Sequence, residues 1–396
     1  MVAQSIREKL ERASWIRRMF EEGARLRQER GADNVFDFTL GNPDVEPPAP
    51  VIEALRRAVA SDRPGSHGYM PNAGLLETRT AVADKLRQDT GLAFSPADIV
   101  MTVGSAGACN VILKTILDPG DEVIVLLPFF SEYEFYIGNH GGKMVPVESG
   151  EDFLPNIAAI AAAITDRTRA ILLNTPNNPT GRVYPAATLG ELQELLARCD
   201  HEILVISDEP YTSLVYDGKK QTPVAAAITN TVICTSWSKS QALAGERIGY
   251  LALSPRLHDL PTLRSACTFA NRVLGFVNAP ALWQRVVAQN PTVSVDVAGY
   301  QEKRDRLCDG LAAVGYDLRK PEGAFYVFCK TPVSAAAPDD IAFIQKLAEQ
   351  GVLAVPGTGF GRSGYMRLTL TVPLVTIERA LPLFERVFRS LGSSSS

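Results

Sequence analysis

The sequence predicts an α/β protein with a mainly parallel central sheet, helices on both faces and a smaller α+β domain. Two observations indicate this fold class. Short, continuously apolar segments alternate with helix-length segments over residues 99–253, a pattern typical of strands buried on both faces of a parallel sheet. After about residue 290, a charged helix and Gly- and Pro-punctuated strands replace this alternation, which favours a second domain.

The predicted elements follow in chain order. Residues 4–29 place Ile6, Leu10, Ile16 and Phe20 near helical spacing, which predicts an amphipathic helix. A short strand is expected at 36–40, before a loop at 41–44. The sheet strands are expected at 99–103, 122–127, 170–173, 203–206, 231–234 and 249–253. In the smaller domain we expect a helix at 301–311, strands at 324–329 and 366–371, and a helix at 376–391.

These elements suggest four parts of the chain. Residues 1–48 form an N-terminal helix and segment that packs with the small domain, and residues 49–290 form the large domain. Residues 291–391 form the small C-terminal domain, and residues 392–396 form a flexible tail. The chain has no internal repeats or low-complexity linkers, so the two domains are expected to pack closely.

The composition excludes several classes of function. A hydrophobic content of 46%, a charged content of 21% and a net charge of −4 fit a globular protein that binds neither nucleic acid nor a membrane. The six cysteines lack CxxC spacing, which argues against a disulfide framework or a metal site and for a reducing compartment. The N-terminal residues show neither an apolar signal core nor a transit-peptide composition, so a cytoplasmic location is expected.

The clearest chemical signal lies after the strand at 231–234. Ligands of open parallel sheets bind just past the carboxyl ends of the strands, and here the sequence reads Ser236-Trp237-Ser238-Lys239-Ser240, with Arg247 further on. A lysine held in this way can form an imine with a carbonyl cofactor, and hydroxyls with an arginine suit a phosphate. A solvated surface lysine is the alternative, and these neighbours do not decide between the two.

Three other strand exits carry weaker signals. Residues 104–108 are small and lead into a helix, whose first N–H groups bind phosphate unless the segment is only a tight turn. Phe130 follows the strand at 122–127 and either stacks on a planar ring or packs in the core. Asn178 follows the strand at 170–173 in a Pro- and Gly-rich turn, where its amide either donates to a ligand or stabilises the turn.

A carboxylate and a tyrosine follow the strand at 203–206. Asp208 emerges from a buried strand, which is unfavourable unless the carboxylate meets a cation or a strong donor. A protonated pyridine nitrogen would be such a partner, and Tyr211 would donate to a phenolate oxygen on the same ring. The alternative is that Asp208 caps a helix N-terminus.

Taken in chain order, the residues that follow these strands suit the phosphate, the ring and the carbonyl group of pyridoxal 5′-phosphate. The chain resembles the class I aminotransferases of the aspartate aminotransferase superfamily, which are fold type I pyridoxal-phosphate enzymes. The resemblance extends from Leu40-Gly41-Asn42-Pro43-Asp44 to Tyr365-Met366-Arg367-Leu368. Three motifs carry it: Asn178-Pro179-Thr180-Gly181, Asp208-Glu209-Pro210-Tyr211 and Ser236-Trp237-Ser238-Lys239.

The resemblance implies cofactor roles for the matching residues. Lys239 would be the Schiff-base lysine and the acid/base that moves a proton between substrate and cofactor. Asp208 would bond the pyridine nitrogen, Asn178 and Tyr211 the ring hydroxyl oxygen, and Phe130 would stack on the ring. The phosphate would be held by Ser105, Ala106, Ser236, Ser238 and Arg247.

The resemblance also implies how substrate is bound. Arg367 would pair with the α-carboxylate, helped by Asn178 and the backbone at Gly41. Arg272 lies close to where aspartate-specific members carry a second arginine, and a structural role is its alternative. Tyr69 matches a tyrosine that reaches the phosphate of the neighbouring subunit, which implies a homodimer with shared active sites.

Three functions remain open on the sequence. The first is transfer of an amino group from an L-amino acid, possibly acidic, to a 2-oxo acid. The second is elimination, cyclisation or oxidation of an amino acid with the same cofactor. The third is a binding or regulatory protein that keeps the fold without catalysis, against which the intact Lys239, Asp208 and Arg247 argue.

Overall fold

The computed structural model describes residues 2–4, 6–7, 14–62 and 64–392. Over these residues the helices α1 to α13 are, in chain order, Ser14–Arg30, Ala49–Ala60, Leu76–Thr90, Gly104–Ile116, Glu132–Asn139, Ile157–Ala163, Ala186–Leu196, Val224–Ala227, Leu260–Val273, Ala281–Gln289, Val297–Val314, Asp340–Glu349 and Leu374–Gly392. The strands β1 to β12 are Phe36–Asp37, Ile99–Thr102, Glu122–Leu127, Lys143–Glu148, Thr168–Asn174, Leu204–Asp208, Thr231–Ser236, Gly249–Leu253, Tyr326–Lys330, Val352–Leu353, Val355–Pro356 and Tyr365–Thr369.

The central sheet has the strand order β2-β8-β7-β6-β5-β3-β4. Strand β8 runs antiparallel to both of its neighbours, β2 and β7, and the other pairs are parallel. Alternate residues of β3 enter different apolar clusters, Val123 and Val125 on one face and Ile124 and Leu126 on the other. Burial on both faces explains the continuous apolar segments of the sequence, and the predicted fold class is confirmed.

The edge strand β4 is absent from the predicted elements. It pairs only with β3, and most of its residues are exposed or half-buried. Its sequence carries a lysine, a proline and a glutamate, which edge strands tolerate because one side of the strand faces solvent. The search for continuous apolar segments therefore could not detect this strand.

A second sheet lies in the C-terminal part of the chain. It is antiparallel, with the order β11-β12-β9, and β1 pairs separately with β10 in parallel. The β1–β10 pair ties residues 36–37 to residues 352–353. An apolar cluster with Phe38, Phe325 and Phe384 joins this N-terminal segment to the C-terminal elements. The domain boundaries proposed from the sequence stay predictions.

Several element ends differ from the sequence-based expectation. The strand expected at 36–40 is only Phe36–Asp37, and the helix expected at 301–311 extends over Val297–Val314. The helix expected at 4–29 is described over Ser14–Arg30 and at residues 4, 6 and 7, while residues 5 and 8–13, Leu10 among them, lie outside the described residues. Ile6 is exposed, and the side chains of Ile16 and Phe20 also lie outside the description. Gly392, expected in the tail, ends α13, and residues 393–396 lie outside the description.

Two features of the described residues concern membranes and metal ions. In this part of the chain, no helix is both long and apolar enough to span a bilayer. Over the same residues, no group of three or more histidine, cysteine or acidic side chains is placed to hold a metal ion. All six cysteines are free thiols.

Candidate active site

A cavity of about 330 Å³ lies at the carboxyl ends of β5, β6 and β7. All but two of the predicted site residues line it: Gly41, Ser105, Ala106, Phe130, Asn178, Asp208, Tyr211, Ser236, Ser238, Lys239, Arg247 and Arg367. Residues more than 300 positions apart in sequence thus meet at one place. Segment 39–41, the end of the central sheet and the smaller sheet each contribute to the wall.

Asp208 is the last residue of β6 and is 7% exposed. Its carboxylate accepts hydrogen bonds from the Ser105 hydroxyl and, at 2.6 Å, from the Tyr133 hydroxyl. Burial raises the pKa of Asp208 to about 6, and these two bonds limit the rise. No helix starts here, so the helix-cap alternative is wrong. Among the described residues no lysine or arginine pairs with this carboxylate, so it fits a cationic ring nitrogen.

Lys239 follows β7 and points into the cavity. Its Nζ donates to the Gly41 carbonyl at 2.7 Å and lies 5.2 Å from the centre of the Phe325 ring. Burial, and then the positive charges of Arg367 and Arg247, lower the pKa of Lys239 to about 8. The surface-lysine alternative is therefore wrong. An amine with this pKa is more often neutral than a solvated lysine, as a nucleophile or base must be.

An anion cradle lies at the start of α4. Gly104 begins this helix with φ of +78°, and the Arg247 guanidinium lies against it. Arg247 is itself held in a left-handed conformation, and its Nη1 donates to the Ala244 carbonyl at 2.9 Å. The hydroxyls of Ser236 and Ser238 line the same cavity. Helix N–H groups, hydroxyls and a guanidinium together suit a phosphate.

The Ser105 side chain departs from its predicted role. The resemblance implies a phosphate contact, but the hydroxyl donates to Asp208. A buried carboxylate needs donors, and the first turn of α4 brings this hydroxyl to it. Only the backbone N–H groups of Ser105 and Ala106 are left for an anion at this end of the helix.

Arg367 lies on β12 and is 5% exposed. Its Nη1 donates to Asn178 Oδ1 at 3.1 Å, its Nη2 to the Thr39 carbonyl at 2.7 Å, and its Nε has no partner. Among the described residues, no carboxylate forms an ion pair with it. A buried guanidinium with only neutral acceptors has an uncompensated charge, so this residue is prepared for a carboxylate.

Tyr211 and Tyr326 place two hydroxyls in the cavity, 3.4 Å apart. Tyr326 also lies beneath the Arg367 guanidinium, whose Cζ is 4.5 Å from the ring centre. A Cβ at Gly41 would fall 1.9 Å from the Tyr326 hydroxyl oxygen. Gly41 is therefore required for this close approach, in addition to its carbonyl contact with Lys239.

Phe130 and Asn178 lie at two further walls of the cavity. Phe130 is half-buried and meets Tyr133 edge-on, with 5.5 Å between ring centres. The Asn178 N–H donates to Asn174 Oδ1 at 2.6 Å, and its own Oδ1 accepts from Arg367. The Asn178 NH2 group is left to donate to a ligand.

Tyr133, Tyr326 and Asn174 line the cavity but were not predicted as site residues. Asn174 ends β5 and its side chain donates to the Asp208 carbonyl at 2.8 Å, so the strand-exit rule could have found it. Tyr133 lies three residues after Phe130, in the first turn of α5. Residues three apart can lie on the same side of a helical turn, so this spacing could also have indicated Tyr133. Tyr326 gave none, because only the pairing of β9 with β12 brings it beside Arg367.

Tyr69 and Arg272 lie away from this cavity. Tyr69 is 96% exposed. Arg272 is exposed in the last turn of α9, with its Cζ 5.3 Å from the centre of the Phe269 ring. Within one protomer, Arg272 does not line the cavity, and its contact with substrate stays a prediction.

Comparisons with known proteins agree with this geometry. The family model for aminotransferase class I and II matches residues 33–383. The chain belongs to the class I and II aminotransferases. It is therefore a pyridoxal-phosphate-dependent enzyme that transfers amino groups, and the reaction, cofactor and family predicted from the sequence are confirmed.

Two relatives illustrate the match of this aminotransferase to characterised sequences. It is 37% identical to the aspartate/prephenate aminotransferase of Thermus thermophilus over 365 residues, covering 91% of this chain and 92% of the relative. It is 31% identical to the aspartate aminotransferase of Bacillus subtilis, covering 89% and 91%.

Solved structures give the same result. An amino transferase from Eubacterium rectale superposes with a TM-score of 0.94 at 35% identity, covering 99% of both chains. The Thermus thermophilus aspartate aminotransferase with maleate superposes with a TM-score of 0.84 at 34% identity, covering 94% of this chain and 96% of the other.

Proposed function

We propose that this aminotransferase moves an amino group from an acidic L-amino acid, aspartate or glutamate, to a 2-oxo acid. The observation that carries amino acid binding is the buried Arg367, whose charge has no carboxylate partner among the described residues, in one cavity with Lys239 and Asp208. The relatives named aspartate aminotransferases support an acidic donor. We also propose a role in amino acid metabolism and biosynthesis.

Each residue of the cavity has its own role in this reaction. When bound, pyridoxal 5′-phosphate supplies an electron sink that makes the Cα proton of an amino acid acidic. Lys239 takes and returns that proton at Nζ, and Arg367 holds the α-carboxylate with the Asn178 amide. Asp208 keeps a proton on the ring nitrogen, with Ser105 and Tyr133 holding the carboxylate in place. Tyr211 donates to the ring oxygen.

The remaining predicted residues would hold the cofactor in position. Phe130 stacks on the ring. The phosphate is bound by the backbone of Ser105 and Ala106 at the start of α4 and by the side chains of Ser236, Ser238 and Arg247. Hydroxyls, helix N–H groups and one guanidinium anchor a doubly charged group without using Lys239.

The second carboxylate of an acidic substrate needs another cation. In the described part of one protomer the cavity holds three, Lys239, Arg247 and Arg367, and all have roles above. Arg272 lies beside the Tyr69 loop, since Asn271 Nδ2 donates to the Asn72 carbonyl at 3.0 Å. We infer that a homodimer brings Tyr69 and Arg272 of one protomer to the cavity of the other.

Exposed apolar side chains support this dimer. Leu76, Phe269 and Val273 are 63%, 56% and 50% exposed, and Tyr69 is 96% exposed. Large apolar side chains exposed in one protomer are often covered at a protein interface. We also propose a cytoplasmic location, because six free thiols suit a reducing compartment.

A substrate panel tests the proposal. The holoenzyme is assayed with aspartate, glutamate and neutral amino acids, each with 2-oxoglutarate, and the 2-oxo acid product is quantified. We expect Arg272→Ala to lower kcat/KM for the acidic donors about 10- to 100-fold, the loss of a charged hydrogen bond, with little change for neutral donors. Arg319→Ala, at an exposed arginine of the smaller domain, is the matched control.

The outcomes separate the alternatives. Equal losses for acidic and neutral donors would reject the acidic-substrate proposal. Release of ammonia or a cyclised product in place of the 2-oxo acid would show that another reaction of the same cofactor dominates.

A further inference from the structure

A second cavity, of about 430 Å³, lies behind the candidate active site. We call it the rear cavity, and define it by Lys85, Glu209, Ser213, Lys220, Gln221 and Thr235. The end of α3, the turn after β6 and the loop at 219–223 form its walls. Its volume lies within the range of small-molecule sites, and none of the roles assigned above uses it.

Glu209 gives this cavity a buried carboxyl group. It follows Asp208 directly, is 7% exposed, and lines the rear cavity while Asp208 lines the active-site cavity. Its Oε1 accepts a hydrogen bond from the Ser207 hydroxyl at 2.6 Å. Among the described residues no lysine or arginine pairs with it, and Lys85 is paired with Asp89. Burial raises the pKa of Glu209 to about 7, and the Ser207 hydrogen bond and the charge of Lys85 limit the rise, so a bound cation would stabilise the ionised form.

Two more wall oxygens lack hydrogen-bond partners. Ser213 Oγ and Gln221 Oε1 are buried and unpaired within the described structure. The orientation of the Gln221 amide is set, because its Nε2 donates to the Thr175 carbonyl at 2.7 Å. The Glu209 carboxyl group, which lines the cavity, suits a group that only donates, such as an ammonium.

The mouth of the rear cavity carries the opposite charge. Lys220 is exposed and, over the described residues, forms no ion pair, whereas Lys219 pairs with Glu322 at 2.5 Å. Leu86, Val215 and Ile233 line the same cavity and provide apolar surface. The cavity therefore offers a carboxylate, an apolar wall and an ammonium.

We propose that the rear cavity is a second, non-catalytic amino-acid site that binds α-amino acids with apolar side chains. The ammonium of the ligand binds Glu209, its carboxylate binds Lys220, and its side chain lies against Leu86 and Ile233. A divalent metal ion fits less well, because the described residues contain no cluster of three metal-ligating side chains.

An occupant of this site would act on catalysis through two strands. The Glu209 N–H donates to the Cys234 carbonyl at 2.8 Å, and the Thr235 hydroxyl donates to the Glu209 carbonyl at 2.8 Å. Thr235 faces the rear cavity, and the next residue, Ser236, faces the active site. A ligand bound to Glu209 thus touches the same strand ends that carry Asp208 and the Lys239 turn.

Equilibrium dialysis tests the proposal with a ligand that cannot react. Radiolabelled α-methylleucine is an apolar α-amino acid without a Cα proton, so the holoenzyme cannot transaminate it. We expect Glu209→Gln to bind one equivalent per protomer fewer than the wild type. Glu202→Gln makes the same change at an exposed residue just before β6, and is expected to bind as many equivalents as the wild type.

A second variant distinguishes loss of the rear site from misfolding caused by a substitution at the buried Glu209. Lys220→Ala alters only an exposed side chain and is expected to weaken the rear-site affinity about 1.5- to 5-fold, as for an exposed ion pair. The visible absorbance of the bound cofactor confirms that each variant keeps its active site. Equal binding by the wild type and Glu209→Gln, or unchanged affinity in Lys220→Ala, would overturn the proposal.

Discussion

At the scale of single residues, the cavity is organised by charges that have no partner inside it. Asp208 is an anion whose pKa is raised by burial to about 6, and Lys239 is an amine whose pKa is lowered to about 8. Arg367 is a cation with only neutral acceptors. Asp208 and Arg367 each have the sign opposite to the group that they would meet, so ligand binding removes an electrostatic penalty at both points.

The lowered pKa of Lys239 predicts how the cofactor is captured. Only the neutral amine attacks a carbonyl, so the capture rate of the cofactor-free protein should rise about tenfold per pH unit below about 8 and level off above it. Stopped-flow absorbance measures this rate. A midpoint near 10.5, the ordinary value for lysine, would contradict the prediction.

A charge variant checks the cause. Arg367→Gln removes a nearby positive charge, which should raise the pKa of Lys239 and move the midpoint to higher pH. Arg319→Gln, far from the cavity, should leave the midpoint unchanged.

The sequence predicted the residues that chemistry requires and missed those that support them. Lys239, Asp208 and Asn178 follow buried strands, and a parallel sheet brings such positions together. The hydroxyl bonds to Asp208 depend on how α4 and α5 pack on the sheet, and strand position carries no information about that packing. For the same reason the Ser105 hydroxyl was expected at the phosphate.

At the scale of elements, the junction of β2 and α4 shows why residue 104 is a glycine. The chain turns there with φ of +78°, and the Arg247 guanidinium lies where a side chain would begin. The same turn exposes the first N–H groups of α4 to the cavity. One residue therefore serves both the backbone turn and the position of the guanidinium.

Gly104→Ala should separate these two effects when compared with Gly218→Ala. Both glycines have positive φ, +78° and +66°, but an added Cβ at Gly218 meets no atom within 4 Å, whereas at Gly104 it lies 2.9 Å from Arg247 Nη2. Both variants should lower the free energy of unfolding by about 1–2 kcal/mol. Only Gly104→Ala should weaken pyridoxal-phosphate binding, by about tenfold.

Urea denaturation and cofactor titration measure the two quantities. Equal cofactor affinity in both variants would show that the Arg247 guanidinium does not depend on the space at Gly104.

Element boundaries were predictable where burial is uniform and not elsewhere. Strands β3 and β8 were predicted to the residue because nearly all of their positions are apolar and buried. Strands β10 and β11 have only two residues each, too short for any periodicity to show. Such strands form because a tertiary partner is present, and this partner is invisible in the local sequence.

At the scale of the whole molecule, one protomer leaves its cavity without the two residues predicted from the neighbouring subunit. Tyr69 and Arg272 are exposed on one face, where the Asn271–Asn72 hydrogen bond joins their segments, and neither lines its own cavity. An isologous dimer would use this face twice. Each active site would then need both chains.

Hybrid dimers test this shared site. A protomer with Tyr69→Ala keeps its own Lys239, and a protomer with Lys239→Ala supplies an intact Tyr69. Random reassociation of equal amounts makes half of the dimers hybrid, each with one complete site, so the mixture should recover about a quarter of wild-type activity. Activity equal to the average of the two parents would contradict shared sites.

The segment at residues 39–41 is held by three consecutive carbonyl contacts. Thr39, Leu40 and Gly41 accept hydrogen bonds from Arg367, Thr371 and Lys239, at 2.7, 2.9 and 2.7 Å respectively. Two of these three donors are the groups that a substrate carboxylate and a cofactor carbonyl would engage. If a bound cofactor and substrate engaged both donors, the segment would keep only the Thr371 hydrogen bond of these three. Ligand binding would therefore loosen the hold of the smaller sheet and of Lys239 on this part of the cavity wall.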